Sequence, residues 1–260
     1  MNPKKLDVIA AISEAYRGAW TRAGEMIRLI WLPGLIYIGL SVAAALIDLR
    51  KQVGLGMLIQ AASLFLWPII AVAWHRFILI GDAATGAFQL RFGRREARFF
   101  LVSIFLVLLF MPGFIIVSMV AALNDPAHAM TASLVSFLGL ILVMVGIYYF
   151  IRLSLLLPAV AVDEPVNARL VLERTRGNFW RLVALYVLGG LPVIVLFWGI
   201  AMLLATAHVP AVVPFALYAL IYIFFAIVNV AILSIAYREL IGPAGTLALD
   251  LDDSDSATLN

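Results

Sequence analysis

The sequence predicts an all-α membrane protein with six transmembrane helices. Three observations support this prediction: the composition, the spacing of the apolar runs and the distribution of arginine and lysine. Hydrophobic residues make up 65% of the 260 residues and charged residues 13%, whereas soluble domains have about 45–50% and about 25%. A water-soluble core of this size has no room for so much apolar surface, and most side chains are therefore expected to face lipid.

Six apolar runs are separated by polar connections. Each run reaches the roughly 20 residues that cross about 30 Å of hydrocarbon, and a helix satisfies its own backbone hydrogen bonds there. The predicted spans are residues 26–47, 54–80, 99–123, 131–153, 182–206 and 213–237. They form one domain, residues 26–241. An amphipathic segment, residues 1–25, is predicted to lie at the membrane surface before it, and an acidic tail, residues 242–260, is predicted to be disordered.

Basic residues are concentrated on one side of the predicted membrane. That side holds Lys4, Lys5, Arg17, Arg22, Arg91, Arg94, Arg95, Arg98, Arg169, Arg174, Arg176, Arg181 and Arg238. The opposite side holds only Arg50 and Lys51. Because short loops rich in lysine and arginine stay in the cytoplasm, both termini are predicted to be cytoplasmic. The basic residues are spread over several loops, so no nucleic-acid partner is expected.

The six spans are arranged in a pattern that indicates three similar helical hairpins. The first helix of each hairpin carries a proline at a nearly constant interval: Pro33, Pro112 and Pro192. The second helix of each ends in an arginine: Arg76, Arg152 and Arg238. A period this long fits a repeated two-helix unit, although chance is an alternative because proline is common in membrane helices. Helices kinked by proline could enclose a crevice, or they could pack tightly.

Four arginines within or at the ends of apolar runs are the main candidates for a binding site: Arg76, Arg152, Arg238 and Arg28. A guanidinium group there costs free energy unless it reaches the interface, pairs or binds an anion. One interpretation is that these side chains extend to lipid phosphates. The other is that they form a ring that binds a lipid headgroup or another anion. Glu25 could pair with Arg28.

Aromatic and basic residues beside the spans are predicted to hold them at the membrane interface. These residues are Trp20, Trp74, Trp180 and Arg181. His75 could carry a proton or contact lipid, although an interfacial position beside Trp74 is the simpler interpretation. Asn229 and Ser234 are expected to form hydrogen bonds between helices.

Residues that could support catalysis are sparse. The pair Asp163 and Glu164 could act as catalytic carboxylates, but it more simply begins an amphipathic surface helix over residues 166–176. His128 and His208 lie on predicted loops of the less basic side, without the carboxylates that would indicate a metal site. There is no cysteine, no glycine-rich phosphate loop, no His-Glu-x-x-His and no nucleophile elbow. The sequence therefore predicts no enzyme, no metal and no cofactor.

The central connection carries a resemblance to a known group of proteins. Its residues are 152–163 (RLSLLLPAVAVD) and 174–181 (RTRGNFWR), together with residues 74–77 (WHRF). These segments resemble the membrane domain of glycerophosphoryl diester phosphodiesterases and the related YciC-like membrane proteins. The resemblance implies a multi-pass helical module of the bacterial inner membrane. It gives no residue a catalytic role, because the soluble barrel with its metal ligands has no counterpart in this chain.

Three functional hypotheses follow. The first is a non-enzymatic inner-membrane module or accessory protein that contacts membrane lipids or partner proteins. The second is a small transporter or lipid-handling protein with a site for an anion or phospholipid headgroup at the cytoplasmic face, lined by Arg76, Arg152 and Arg238. The third and weakest is the membrane part of an enzyme whose soluble domain is a separate chain.

Overall fold

The described part of the chain is helical throughout. The computed structural model describes residues 5–47, 51–82, 90, 92–123, 129–206, 209–210 and 212–249. Within these residues there is no strand. The helices are α1 (Val8–Thr21), α2 (Ala23–Leu46), α3 (Val53–Ile80), α4 (Arg94–Leu108), α5 (Met111–Leu123), α6 (Ala129–Leu153), α7 (Leu156–Ala161), α8 (Ala168–Arg174), α9 (Phe179–Thr206) and α10 (Val212–Leu240).

Five of these helices are long and apolar enough to cross a membrane: α2, α3, α6, α9 and α10. The pair α4 and α5 passes the same test but is bent by 43°, so the described residues contain five candidate spans, or six if the bent pair is one span. The prediction of an all-helical, multi-pass membrane protein is confirmed at this level. The long helices begin and end within a few residues of the predicted runs, because helices in lipid extend as far as the apolar sequence does.

The predicted third span, residues 99–123, is broken at Leu109 and Phe110. Pro112 is the second residue of α5 and has no backbone N–H, so the regular helical hydrogen bond to the carbonyl group of Leu108 is lost. The N–H groups of Leu109 and Phe110 instead bond three residues back, at 3.4 Å each. By contrast, Pro33 and Pro192 lie inside α2 and α9, which remain single helices. The three predicted proline positions are therefore not equivalent.

Glycines bring the backbones of α5 and α6 into direct contact. A Cβ atom on Gly113 would lie 2.6 Å from the carbonyl oxygen of Gly139, and one on Gly146 would lie 2.6 Å from the carbonyl oxygen of Leu109. Such distances are far below van der Waals contact, so only glycine fits at these positions. Small residues at helix interfaces are the usual way for membrane helices to gain close packing. Gly146 thus fits against the break in the bent pair.

Replacing Gly146 by alanine is expected to lower the thermal unfolding temperature of the detergent-solubilised protein. The added methyl group would collide with backbone atoms of Leu109 and Phe110, which cannot rotate away, and overpacking of this kind costs about 1–3 kcal/mol. Gly199→Ala in α9 is the matched control, because no atom lies within 4 Å of its added Cβ and alanine favours the helix. Equal stability of the two variants would contradict the close contact of α5 and α6.

Helix α10 occupies the middle of the bundle. It contacts α1, α2, α3, α7 and α9. In the 18-residue apolar window of this helix 72% of the residues are buried, whereas the windows of the other single-helix spans have between 17% and 33%. The buried residues are concentrated between Ala226 and Leu240. This half of α10 is therefore enclosed by other helices, as its apolar residues on all sides suggest.

Helix α1 is packed into the bundle through a stripe of alanines. Ala11, Ala15 and Ala19 are buried at helical spacing, and α1 contacts α9 and α10. Asp7 caps its first turn by accepting a hydrogen bond from the N–H of Ala10 at 3.0 Å. The predicted amphipathic segment is therefore a helix, but its alanine face packs on protein, since alanine lets the neighbouring backbones approach closely.

The first part of the tail that was predicted to be disordered is ordered. Residues 242–249 are described and include a short helical turn. Leu247 is fully buried, and Glu164 accepts hydrogen bonds from the N–H groups of Gly245, at 2.5 Å, and Leu247, at 3.0 Å. The sequence prediction failed here because it was based on the small and acidic residues and gave Leu247 no weight. Residues 250–260 lie outside the described residues.

Candidate functional site

Three of the four predicted site arginines lie near the C-terminal ends of long helices. They are Arg76 in α3, Arg152 in α6 and Arg238 in α10. We call the end of the bundle that carries them the basic end. Each of the three has its own protein partners, described below, whereas Arg28 is exposed in α2. Glu25 and Arg28 both belong to the described residues and form no ion pair with each other. Both side chains are exposed, and an ion pair in such a position contributes little to stability.

Arg76 belongs to a network of charges that joins three parts of the chain. Its guanidinium group contacts Asp82 at 2.6 Å and Asp163 at 3.1 Å. Arg95, in α4, also contacts Asp163, at 2.5 Å. Gly81 ends α3 with a φ of 68°, a conformation that glycine adopts without steric cost, and this turn returns Asp82 to Arg76. The network therefore connects α3, α4 and the α7–α8 connection.

Asp163 takes part in this network because of an unusual backbone conformation. Its φ is 66°, and the N–H of Glu164 bonds back to Ala159 at 3.0 Å, which is a common way to end a helix such as α7. Hydrogen bonds from Arg95, and then the charges of Arg95 and Arg76, hold the pKa of the Asp163 carboxyl below its usual value of 3.8. Asp163 does not begin the next helix as predicted. Asn167 caps α8 instead, accepting from Leu170 at 3.0 Å.

Asp163→Asn is expected to lower the thermal unfolding temperature slightly at pH 7. Asparagine keeps the left-handed backbone conformation accessible but removes the charge that faces Arg95 and Arg76. Because the folded-state pKa lies below 3.8, the stabilisation is fully present above about pH 4 and is lost as the pH falls through the folded-state value. The difference in unfolding temperature between Asp163→Asn and the wild type should therefore disappear at pH values below the folded-state pKa of Asp163.

Glu173→Gln is the control for this measurement, since Glu173 is an exposed acid of α8 for which no ion pair is described. A constant difference between Asp163→Asn and wild type at all pH values would contradict the charge network as its source.

Arg152 is enclosed by protein groups. Its Nη1 donates to the hydroxyl group of Tyr148 at 2.6 Å, its Nε donates to Thr175 at 3.1 Å, and its Nη2 donates to the carbonyl oxygen of Leu172. The guanidinium group also lies 5.2 Å from the ring centroid of Tyr148. With its side chain buried, Arg152 connects α6 to α8 and offers little of its charge to a ligand.

The predicted interface residues fall into two groups. Trp20 and Trp180 are exposed, at 78% and 76%, as an interfacial position requires. Trp74 is only 2% exposed, and its ring stacks on Phe77 at 5.1 Å between centroids. The ring of Trp74 therefore lies inside the protein, in a cluster of buried residues from α2, α4, α7 and α10.

Arg181 holds the N-terminal segment. Its Nη1 donates to the carbonyl oxygen of Leu6 at 2.7 Å. The N–H of Leu6 donates to Asn178 at 3.0 Å, and both Leu6 and Asn178 are buried. The sequence pattern placed Asn178 in a motif but did not indicate this contact, because the two residues are far apart in the chain.

His75 forms a buried hydrogen bond with Ser234 in α10, at 2.7 Å. The hydroxyl group of Ser234 donates to Val230 at 2.9 Å, so it accepts from Nδ1 of His75. The predicted interhelical hydrogen bond of Ser234 is thus confirmed. His75 is buried rather than interfacial, since α10 covers it.

A cavity of about 250 Å³ lies at the basic end between α1, α3 and α10. We call it the basic cavity. Its apolar floor is formed by Trp74, Phe77, Ile78, Ala231 and Ile235. Its rim carries Glu14, Arg17, Arg22 and Arg238. The small side chains Ala15, Gly18 and Ala19 of α1 also line the cavity, where this helix packs against α10.

The charge of the basic cavity is predominantly positive. Arg238 contacts Glu14 at 2.7 and 2.9 Å, and the Arg22 guanidinium lies 5.5 Å from the centroid of Phe77. Arg17 is exposed, and its guanidinium group has no hydrogen bond or ion pair with another described residue. Three guanidinium groups thus face one carboxylate. An anion has more positive charge available here than the protein itself neutralises.

Trp74, one of the residues that line the basic cavity, carries a buried hydrogen-bond donor without a partner among the described residues. The indole N–H of Trp74 is buried and has no acceptor among the described residues. Leaving such a donor unpaired costs about 1–3 kcal/mol, a cost that a ligand oxygen would remove. Of the residues around this cavity, only Arg238 was a predicted ligand contact. The spacing of Ala15, Ala19 and Arg22 could have placed Arg22 beside the buried face of α1.

His128 and His208, which the sequence analysis considered and did not assign as metal ligands, lie outside the described residues. Among the residues that the structure describes, no group of three or more potential ligands could hold a metal ion.

Comparison of the chain with protein-family models, curated proteins and solved structures finds no match. The resemblance of the central connection to the phosphodiesterase membrane domain and the YciC-like proteins therefore remains an expectation. The basic cavity is the feature of the described residues from which a function can be proposed.

Proposed function

We propose that this protein is a non-enzymatic, multi-pass membrane module that binds an anionic lipid headgroup in the basic cavity. In this proposal the six spans form three hairpins in the bacterial inner membrane, with both termini and the basic end in the cytoplasm. The observation that carries the proposal is the set of three guanidinium groups, from Arg17, Arg22 and Arg238, around a buried indole donor.

The chemistry of the cavity fits a phosphate group attached to an apolar body. Guanidinium groups bind phosphate oxygens through short, charge-assisted hydrogen bonds. The indole N–H of Trp74 could donate to one further oxygen, and Phe77, Ile78 and Ile235 would contact the hydrocarbon next to the head. The volume of about 250 Å³ suits a headgroup, so the acyl chains would remain in the bilayer.

Glu14 has a defined role in this proposal. Its carboxylate bonds to Arg238 at the rim, where the phosphate of a lipid would otherwise bind. A lipid must compete with Glu14 for Arg238. The affinity of the basic cavity for an anionic lipid is therefore lower than it would be if all three guanidinium groups were free.

Loss of rim arginines is expected to reduce the binding of anionic lipid. In Arg17→Ala/Arg22→Ala, the fraction of protein that retains phosphatidylglycerol in native mass spectrometry should fall at least tenfold, because each charge-assisted bond contributes about 1.5–3 kcal/mol. Retention of zwitterionic phosphatidylcholine should not change.

Arg176→Ala is the matched control, since Arg176 is an exposed arginine of the α8–α9 connection that does not line the cavity. If this control loses as much anionic lipid as the double variant, the binding is a property of the whole basic surface, and the assigned site is wrong.

Glu14→Gln is expected to act in the opposite direction. Removing the negative charge frees Arg238, so the retention of phosphatidylglycerol should rise about threefold or more, and the gain should shrink as the salt concentration is raised. A decrease in retention would show that Glu14 supports the site by holding α1 in place.

The transporter hypothesis receives less support from the same observations. Arg76 and Arg152 are bonded to Asp82, Asp163, Tyr148 and Thr175, and α10 fills the middle of the bundle. A passage lined by Arg76, Arg152 and Arg238 would require these bonds to break together. Turnover of a phosphodiester by the purified protein, abolished by a single carboxylate substitution, would contradict the non-enzymatic proposal.

A further inference from the structure

A second and larger cavity, of about 420 Å³, lies between α2, α3 and α10 in the other half of the bundle. Gln60, Trp67 and Tyr222 are among the residues that line it. Its lining on α3 ends at Ile70, four residues before Trp74 of the basic cavity, which corresponds to about 6 Å along a helix. The two cavities are therefore neighbouring but distinct along the same two helices.

Among the described residues that line the second cavity there is no acidic side chain, no arginine or lysine and no histidine. Its polar groups are the carboxamide of Gln60, the hydroxyl of Ser63 and the phenols of Tyr37 and Tyr222. A ligand that is recognised here therefore has an uncharged head, since a charge would remain unpaired in a medium of low dielectric.

Gln60 is the residue that most clearly requires a partner. It lies within the candidate span Val53–Ile80, its side chain is exposed, and its carboxamide forms no hydrogen bond with any other described residue. A carboxamide in the membrane that lacks a hydrogen-bond partner costs several kcal/mol. Ser63 donates to the carbonyl oxygen of Ile59 at 2.9 Å, which leaves its own oxygen free to accept. The site thus offers donors and acceptors together, as a hydroxyl or ester head requires.

The remaining walls suit a hydrocarbon body. The rings of Tyr37 and Tyr222 stack with centroids 5.6 Å apart and planes inclined by 18°. Leu64 lines the cavity and is 55% exposed, so the cavity is continuous with the lipid-facing surface of the bundle. The volume lies within the range of about 300–1,000 Å³ that is usual for small-molecule sites.

We propose that this cavity binds an uncharged lipid with a hydroxyl-bearing ester head, of the diacylglycerol type, which enters from the bilayer and bonds to Gln60 and Ser63. The proposal does not depend on the headgroup site, because the two cavities share no lining residue and differ in charge.

The test uses the full-length protein in phosphatidylcholine vesicles that contain a trace of diacylglycerol with a photoreactive group on one acyl chain. After illumination, mass spectrometry locates the attached lipid. The label is expected on residues 60–67 of α3, and a tenfold excess of unmodified diacylglycerol should remove most of it, whereas phosphatidylglycerol should not. Labelling spread evenly over the exposed faces of α2, α6 and α9, or equal competition by both lipids, would overturn the proposal.

Gln60→Leu keeps the side-chain volume and removes the hydrogen bonds, so the labelling of α3 should fall about tenfold, while Gln60→Asn should restore part of it. Ser136→Ala is the control, since Ser136 is a polar residue of the α6 span that does not line the cavity. Thermal unfolding of each variant shows that it is folded; Gln60→Leu should unfold no earlier than the wild type, because it breaks no protein hydrogen bond. Unchanged labelling in folded Gln60→Leu would overturn the site.

The variant Arg17→Ala/Arg22→Ala distinguishes this proposal from the headgroup site. It should lose anionic lipid in native mass spectrometry and keep the diacylglycerol label. Loss of both together would contradict two independent sites.

Discussion

The packing of α10 is the constraint on which the other helices depend. Between helices in lipid there is little hydrophobic driving force, so association comes from close van der Waals fit and a few interhelical hydrogen bonds. Helix α10 contacts five other helices and supplies both kinds of interaction. Ser234 of α10 accepts a hydrogen bond from His75 and so joins α10 to α3. The ion pair of Arg238 with Glu14 joins α10 to α1. Both cavities are gaps beside this helix, which explains why neither lies on a central axis of the bundle.

The connection between α6 and α9 holds the basic end together by polar contacts. Arg152 joins α6 to α8, and Asp163 joins α3 to α4. Glu164 binds the residues after α10, while Asn178 binds the residues before α1. This division explains why arginines of similar sequence context differ in function. Where a guanidinium group has buried or acidic protein partners, it stabilises the fold. Where it faces a cavity with an excess of positive charge, as Arg17 and Arg22 do, it is available to a ligand.

The candidate site was only partly predictable because its parts come from three distant segments. Arg238 stood out, since it ends an apolar run. Arg17 and Arg22 did not, because a helix such as α1 could equally lie on the membrane surface with its alanines toward lipid. Trp74 was interpreted as an interfacial residue from its position near the end of α3, yet it is buried in a cluster with residues of α2, α4, α7 and α10. No local pattern distinguishes a tryptophan that faces lipid from one that faces a neighbouring helix, since both surroundings are apolar.

The sequence by itself determined that the long helices are apolar enough to lie in lipid. It also determined the secondary structure and the bounds of those helices. Those properties follow from composition and from the length of apolar runs, because a backbone in hydrocarbon must satisfy its hydrogen bonds within a helix. The tertiary structure alone decided which helix is central, which proline breaks a span and which charges pair. Pro112 differs from Pro33 and Pro192 through the glycine contacts of α5 and α6, and Glu164 meets Gly245 across 81 residues. Contacts of this kind depend on shape complementarity between distant segments. The sequence of a uniformly apolar helix hardly indicates which of its faces fits which neighbour.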